Sequence, residues 1–238
     1  MKNKISGKIV ALLLTLIIVA TSGMPLYAKE TGDKANSFRY ENGQSIAKAV
    51  PFSTLSPNAW KKIDGKYYSG DGSVIEGAVA KGIDVSHHQG TVDWKKAKED
   101  GVEFAIIRCG FGMNQTKQDD AQWFNNVKGC EENNIPYGVY LYSYADTVKK
   151  AQSEAEHVLR LIKGHTLAYP VYYDIEEKAV LNKLTAEQLG KIAATFVNKV
   201  KAEGYQTGIY SNKSNFETFL TDSQFSQWNK WVAQYNSA

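Results

Sequence analysis

The stretch Tyr169-Pro170-Val171-Tyr172-Tyr173-Asp174-Ile175-Glu176 decides how the rest of the chain is read. Its Val, Ile and Tyr residues favour a pleated, half-buried strand, and it closes on two acids. Side chains at i and i+2 of a strand share a face, with Cα atoms roughly 6.5–7 Å apart. Asp174 and Glu176 are therefore expected to aim into one space, backed by Tyr172. Two neighbouring carboxyls are the minimum equipment for cleaving a glycosidic bond: one protonates the leaving oxygen, the other supports the charge that develops on the sugar. Taken alone, an Asp-x-Glu pair at a strand end is more often a solvated surface pair, so the surrounding chain must decide.

Working outward, strands and helices alternate. Upstream, Ile83–Ser86 reads as a strand carrying Asp84. Asp93 to Asp100 reads as a helix with Asp93 as N-cap. Val102–Cys109 and Tyr137–Tyr144 are expected strands, and Asp120–Asn134 and Thr147–Lys163 expected helices, the latter ending at Gly164. Thr185-Ala186-Glu187-Gln188 has the form of a capping box. The helix behind it carries Leu189, Ile192, Ala193, Phe196, Val197 and Val200 at helical spacing and stops at Gly204. Gln206–Ser211 and Lys230–Tyr235 complete the strands. Strands alternating with helices of this length imply an α/β fold with parallel strands and right-handed crossovers, a TIM-like (β/α) barrel. Such barrels place their chemistry at the C-terminal strand ends, where Asp84, Asp174, Glu176, Tyr142, Tyr144, Tyr210 and Tyr235 all fall. The barrel is expected to occupy residues 80–238.

The segments before it differ in kind. Residues 1–28 join the basic residues Lys2, Lys4 and Lys8 to an apolar run from Ile9 to Ala20, broken only by Thr15, and end on Ala28. That is the pattern of an export signal, and the run is short for a membrane-spanning helix. These three lysines account for the whole formal charge of +3, leaving the remaining chain neutral. No basic patch of the kind nucleic acid needs is present, and no stable membrane association is expected once the signal is removed. Residues 29–58 are polar and aperiodic and read as a linker. Residues 59–79, with aromatic residues around Asp64-Gly65, read as a β-hairpin. It resembles a single aromatic cell-wall-binding repeat, although an ordinary hairpin packed on the main domain explains it more simply, since one repeat cannot bury its own face. The exported context permits a disulfide between Cys109 and Cys130, and spacing leaves that pairing open. His87 and His88 are expected to point apart on an extended backbone. His157 and His165 lack partners at ligand spacing, so no metal and no cofactor is expected.

Several ordered motifs carry a resemblance. Gly82-Ile83-Asp84-Val85-Ser86-His87-His88-Gln89-Gly90-Thr91-Val92-Asp93-Trp94 resembles the opening of glycoside hydrolase family 25, the Chalaropsis-type muramidases. Phe104–Gly112, Ile135–Tyr140, Val171–Glu176, Gly208–Ser211 and Trp231–Tyr235 resemble its later strands in order and spacing. The resemblance covers Lys81 to the C-terminus. It implies hydrolysis of the β-1,4 bond between N-acetylmuramic acid and N-acetylglucosamine of peptidoglycan, by a monomer secreted to the cell wall of a Gram-positive bacterium. By motif position Glu176 is the general acid/base. Asp174 stabilises developing charge, by orienting the substrate acetamido group, and Asp84 tunes the site or positions water. Tyr142, Tyr210, Trp231 and Tyr235 are the implied sugar contacts, with core packing almost as strong a reading for Tyr142 and Tyr210. The family is described as retaining, an outcome that strand spacing by itself leaves open.

The family pattern continues past Ala238 through two more strands and a further acidic position. The barrel is therefore expected to be irregular and incomplete in this sequence, and residues 29–238 alone to be poorly soluble and inactive. Two other readings stay open. One is a peptidoglycan-binding protein with a degenerate barrel, and the other a chitinase-like hydrolase, which also clusters acids on a barrel.

Overall fold

The computed structural model describes Tyr40–Glu41, Gln44–Ser45 and residues 61–68 and 72–233. The export segment, most of the linker, Trp60 and Tyr235 lie outside the described residues. Two compact units divide the chain. One takes in the described residues up to Ala105 with Asn125–Ile135, and the other Ile106–Phe124 with Pro136–Ala233.

In the first unit, β1 (Tyr40–Glu41) pairs antiparallel with β2 (Gln44–Ser45) inside the stretch read as linker. A second hairpin joins β3 (Lys61–Ile63) to β4 (Lys66–Tyr68). Asp64 and Gly65 both take positive φ, 49° and 77°, the conformation a two-residue primed turn requires. Glu103 fastens this hairpin. Its carboxylate accepts from Lys62 Nζ at 2.5 Å, from the Tyr67 hydroxyl, and from the Lys81 amide at 2.7 Å. Burial works to raise the Glu103 pKa, but those three donors overcome it and hold the carboxyl down to about 2. Tyr67 is buried in consequence.

β5 (Gly82–Val85) follows, with Ile83 and Val85 fully buried. The chain then makes a single 3-10 turn at His87–Gln89, fixed by a capping box between Ser86 and Gln89. This corrects the extended reading of the two histidines: the turn brings the His87 and His88 rings to 4.0 Å between centroids. α1 (Trp94–Glu99) is capped by Asp93, whose Oδ1 accepts from the Lys96 amide at 3.1 Å. Trp94 lies against Gly129 of α2 (Trp123–Glu132), where a Cβ would come within 2.0 Å of the indole. Only glycine allows that approach.

β6 (Phe104–Phe111), β7 (Tyr137–Tyr142), β8 (Val171–Asp174), β9 (Thr207–Asn212) and β10 (Asn229–Ala233) follow one another in chain order in the sheet, with β10 at its edge. β7, β8, β9 and β10 pair in parallel. The crossovers are α3 (Val148–Ile162), between β7 and β8, and α4 (Lys178–Leu181) and α5 (Ala186–Ala202), between β8 and β9. α6 (Lys213–Thr218) leads towards β10. The Thr185–Gln188 capping box starts α5 as the sequence predicts. Its buried stripe of Leu189, Ile192, Ala193, Phe196, Val197 and Val200 packs beside α3. Alternation divides β7, β8 and β9 into two faces. Val139, Leu141, Val171, Tyr173 and Ile209 are fully buried on one. The Tyr173 ring stacks on Phe196 of α5 at 3.9 Å. Apolar burial on this face, at about 25 cal/mol per Å², holds helices to sheet and leaves the other face to carry the site.

In the second unit the buried Arg108 meets Asp120 at 2.7 Å. Cys109 and Cys130 are both free, buried thiols in this structure. Cys109 Sγ donates to the Tyr140 carbonyl at 3.2 Å, and burial raises the pKa of both thiols.

Candidate active site

Four parallel strands place one residue each on a single level. Tyr142 of β7 is in register with Asp174 of β8, Asp174 with Tyr210 of β9, and Tyr210 with Trp231 of β10. The level one pleat below on the same face runs Tyr140, Tyr172, Gly208 and Asn229. The sheet thus presents an acid flanked by aromatic rings.

Trp231 organises those rings. Its indole lies 4.3 Å from Tyr210, 5.4 Å from Tyr172 and 5.7 Å from Tyr140, the last two edge to face. All four residues are half-buried, as aromatic residues are when one flank is left for a ligand. Gly208 makes the arrangement possible, because a Cβ there would meet the Tyr172 ring at 2.6 Å.

The strand β8 ends at Asp174, two residues before its expected end. The Ile175 amide still donates to the Tyr210 carbonyl at 3.0 Å, and Ser211 Oγ donates to the Ile175 carbonyl at 2.7 Å. The chain then leaves the sheet and enters α4, with Glu177 as its N-cap, accepting from the Ala179 amide at 3.2 Å. Glu176 therefore sits on a turning backbone and is not a ladder residue. It is nonetheless buried, as are Asp174 and Glu177.

The buried Tyr142 hydroxyl reports what surrounds it. It donates to Glu177 Oε2 at 3.4 Å. Its pKa is driven well above the ordinary tyrosine value, first by burial and then by the charges of Glu176, Asp174 and Glu177. Three carboxyls thus act on one phenol. Strand alternation would have turned Glu177 away from the other two. Its only sequence signal was its position as an acidic cap before Lys178-Ala179-Val180-Leu181.

Of the residues singled out from the sequence, Tyr142, Asp174, Glu176, Tyr210 and Trp231 come together here. Asp84 stands half-buried on β5 in the first unit, and Tyr235 lies outside the described residues. Among the described residues no group of three or more His, Cys, Asp or Glu is arranged to hold a metal ion, and no helix is long and apolar enough to cross a membrane. A buried acid pair beside an aromatic surface suits a ligand with polar hydroxyls and flat C–H faces, and can deliver a proton to it.

Comparison with known proteins gives the same direction. Residues 83–238 match the family model for glycosyl hydrolases family 25. An autolytic lysozyme of Clostridium acetobutylicum is 28% identical over 155 residues, which are 65% of this chain and 45% of that protein. Among solved structures, the modular autolysin LytC from Streptococcus pneumoniae superposes with a TM-score of 0.65 at 33% identity, covering 75% of this chain and 44% of that one. A second LytC structure, in complex with a synthetic peptidoglycan ligand, aligns at a TM-score of 0.58 and 26% identity over 77% of this chain and 50% of that one. The chain spans less than half the length of the autolytic lysozyme and of LytC in the first of these structures.

Proposed function

The chain belongs to glycosyl hydrolases family 25, and from that premise we propose that it is a muramidase, cleaving the β-1,4 bond between N-acetylmuramic acid and N-acetylglucosamine in peptidoglycan. The observation that carries this reading is the convergence of Asp174 and Glu176 on Tyr142, beside the aromatic cluster centred on Trp231.

In this reading Glu176 is the general acid. It is buried, and it acts on the same Tyr142 phenol as Asp174 and Glu177. Asp174, fixed at the end of β8, remains the stabilising partner and orients the acetamido group next to the scissile bond. Trp231, Tyr210 and Tyr172 offer π faces to the sugar rings. Tyr142, with its hydroxyl turned to Glu177, braces the acids. Asp84 is assigned to the same chemistry by its place in the family motif. The export pattern of residues 1–28 supports action outside the cytoplasm, at the cell wall; in this reading the enzyme acts as a monomer.

The test is digestion of purified peptidoglycan followed by analysis of the new reducing ends. Muramic acid ends are the expected result. Glucosamine ends would make the chain a glucosaminidase. Sedimentation with the glycan and no new ends would make it a binding protein.

A further inference from the structure

α3 delivers into the interior a carboxyl for which the proposed chemistry has no use. Glu154 is fully buried. Its Oε1 accepts the Tyr144 amide at 2.8 Å. Its Oε2 forms a triangle of oxygens with Ser143 Oγ, at 2.8 Å, and the Tyr173 hydroxyl, at 2.5 Å. The third edge, from Ser143 Oγ to the Tyr173 hydroxyl, is 2.9 Å. With the carboxyl ionised, the triangle holds two hydrogens, one on Ser143 and one on Tyr173, so one of its short edges is lone pair against lone pair. A proton on Glu154 supplies the third hydrogen, and within the triangle each oxygen then donates once and accepts once, Ser143 Oγ also accepting the Ala145 amide at 3.1 Å. The geometry favours the neutral acid.

The electrostatics agree. Burial pushes Glu154 up to about 7, against the opposing pull of Tyr173, the Tyr144 amide, Ser143 and the charge of Lys150. These are the groups that face it: Tyr173 from β8, Ser143 and Tyr144 from the chain after β7, and Lys150 from one turn earlier on α3 itself. α5 contributes the apolar Phe196, stacked on Tyr173.

The triangle ties together two strand ends. Ser143 directly follows Tyr142, and its amide donates to the Asp174 carbonyl at 2.9 Å. Tyr173 directly precedes Asp174. Because alternate residues take opposite faces, holding Ser143 and Tyr173 from the helix side sets the direction of Tyr142 and Asp174 on the other. We infer that Glu154 is a positioning residue: through a proton-sharing triangle with Ser143 and Tyr173 it fixes the strand ends that aim Tyr142 and Asp174. The functional meaning of that aim rests on the muramidase reading of the site. Loss of the Glu154 proton opens the triangle and loosens Asp174.

The experiment follows the carboxyl carbon resonance of Asp174 by NMR in the full chain, through a pH titration, in the wild type, Glu154→Gln and Tyr173→Phe. In the wild type, the Asp174 resonance is expected to show a step at the midpoint of Glu154, about 7. Gln cannot ionise, so the step should vanish in Glu154→Gln. Tyr173→Phe keeps the ring on Phe196 but removes a corner of the triangle, so the step in the Asp174 resonance should shrink or vanish there too. A wild-type resonance with no such step, or the same step persisting in Glu154→Gln, would overturn the inference. So would a step of full size in Tyr173→Phe, which covers the case of a poorly folded Gln variant. On peptidoglycan, opening the triangle should lower kcat roughly tenfold or more with KM nearly constant, as a misplaced group does. The NMR arm needs no turnover, so an inactive wild type would count against the muramidase reading and leave this inference to its own result.

Discussion

Asp174, Glu176 and Glu177 crowd three carboxyls around the hydroxyl of Tyr142, and their roles differ by what else holds them. Glu177 is committed to the α4 cap. Asp174 is fixed at the end of a paired strand. Glu176, the proposed proton donor, lies just past it, buried on a backbone that has left the ladder. Glu176→Gln is expected to cut turnover by about 10²–10⁴-fold, the usual worth of a positioned acid, while the protein still sediments with peptidoglycan. Turnover like the wild type would remove Glu176 from the mechanism. Asp174→Asn should be severe but milder, because an amide can still orient an acetamido group; initial rates on the same substrate compare the two. The aromatic contribution is separable: Trp231→Ala should raise KM more than it lowers kcat, since a stacking contact serves ground state and transition state alike.

At the scale of elements, the hairpin of β3 and β4 depends on a single acid. Glu103 gathers Lys62, Tyr67 and the Lys81 amide, and its pKa falls from the ordinary 4.5 to about 2 despite burial. A lowered carboxyl stabilises the folded form above its unfolded value and loses that contribution as pH falls towards the folded one. Attachment of the hairpin should therefore be full above about pH 4.5 and weaken between there and about 2. Glu103→Gln should loosen it at neutral pH too. Hydrogen exchange of the β3 and β4 amides measures both effects, and equal protection in the variant would show that Tyr67 burial alone holds the hairpin.

At the scale of the whole molecule, Glu154 imposes a pH dependence of the opposite sign. Its carboxyl titrates at about 7 in the folded chain against an ordinary 4.5, so between those values the folded form binds more protons than the unfolded one. Stability should then decline as pH rises from about 4.5 to about 7 and level off above, by roughly 3 kcal/mol if this group acts alone. That is a sizeable part of the 5–15 kcal/mol by which domains are stable. Urea unfolding across this range should show the decline in the wild type and a flatter profile in Glu154→Gln. Parallel profiles would place the titration elsewhere.

What the sequence determined by itself was whatever rests on neighbours along the chain. The turn at Asp64-Gly65, the caps at Asp93 and Thr185, the stripe on α5 and the alternation of strands with helices are set by residues within a few positions of one another. The ordered motifs from Gly82 to Trp231 were legible for the same reason, and with them Asp174 and Glu176. Tertiary structure decided what depends on distant partners. Glu154 meets Tyr173 across 19 residues and Glu103 meets Lys62 across 41, and no local period encodes either pair. The early end of β8 turned Glu177 into the cluster, against the alternation that a longer strand would impose. The Ser86–Gln89 capping box bent His87 and His88 into contact. Periodicity tells which face a side chain takes, but the burial of a charge and its proton are fixed only when remote donors close around it.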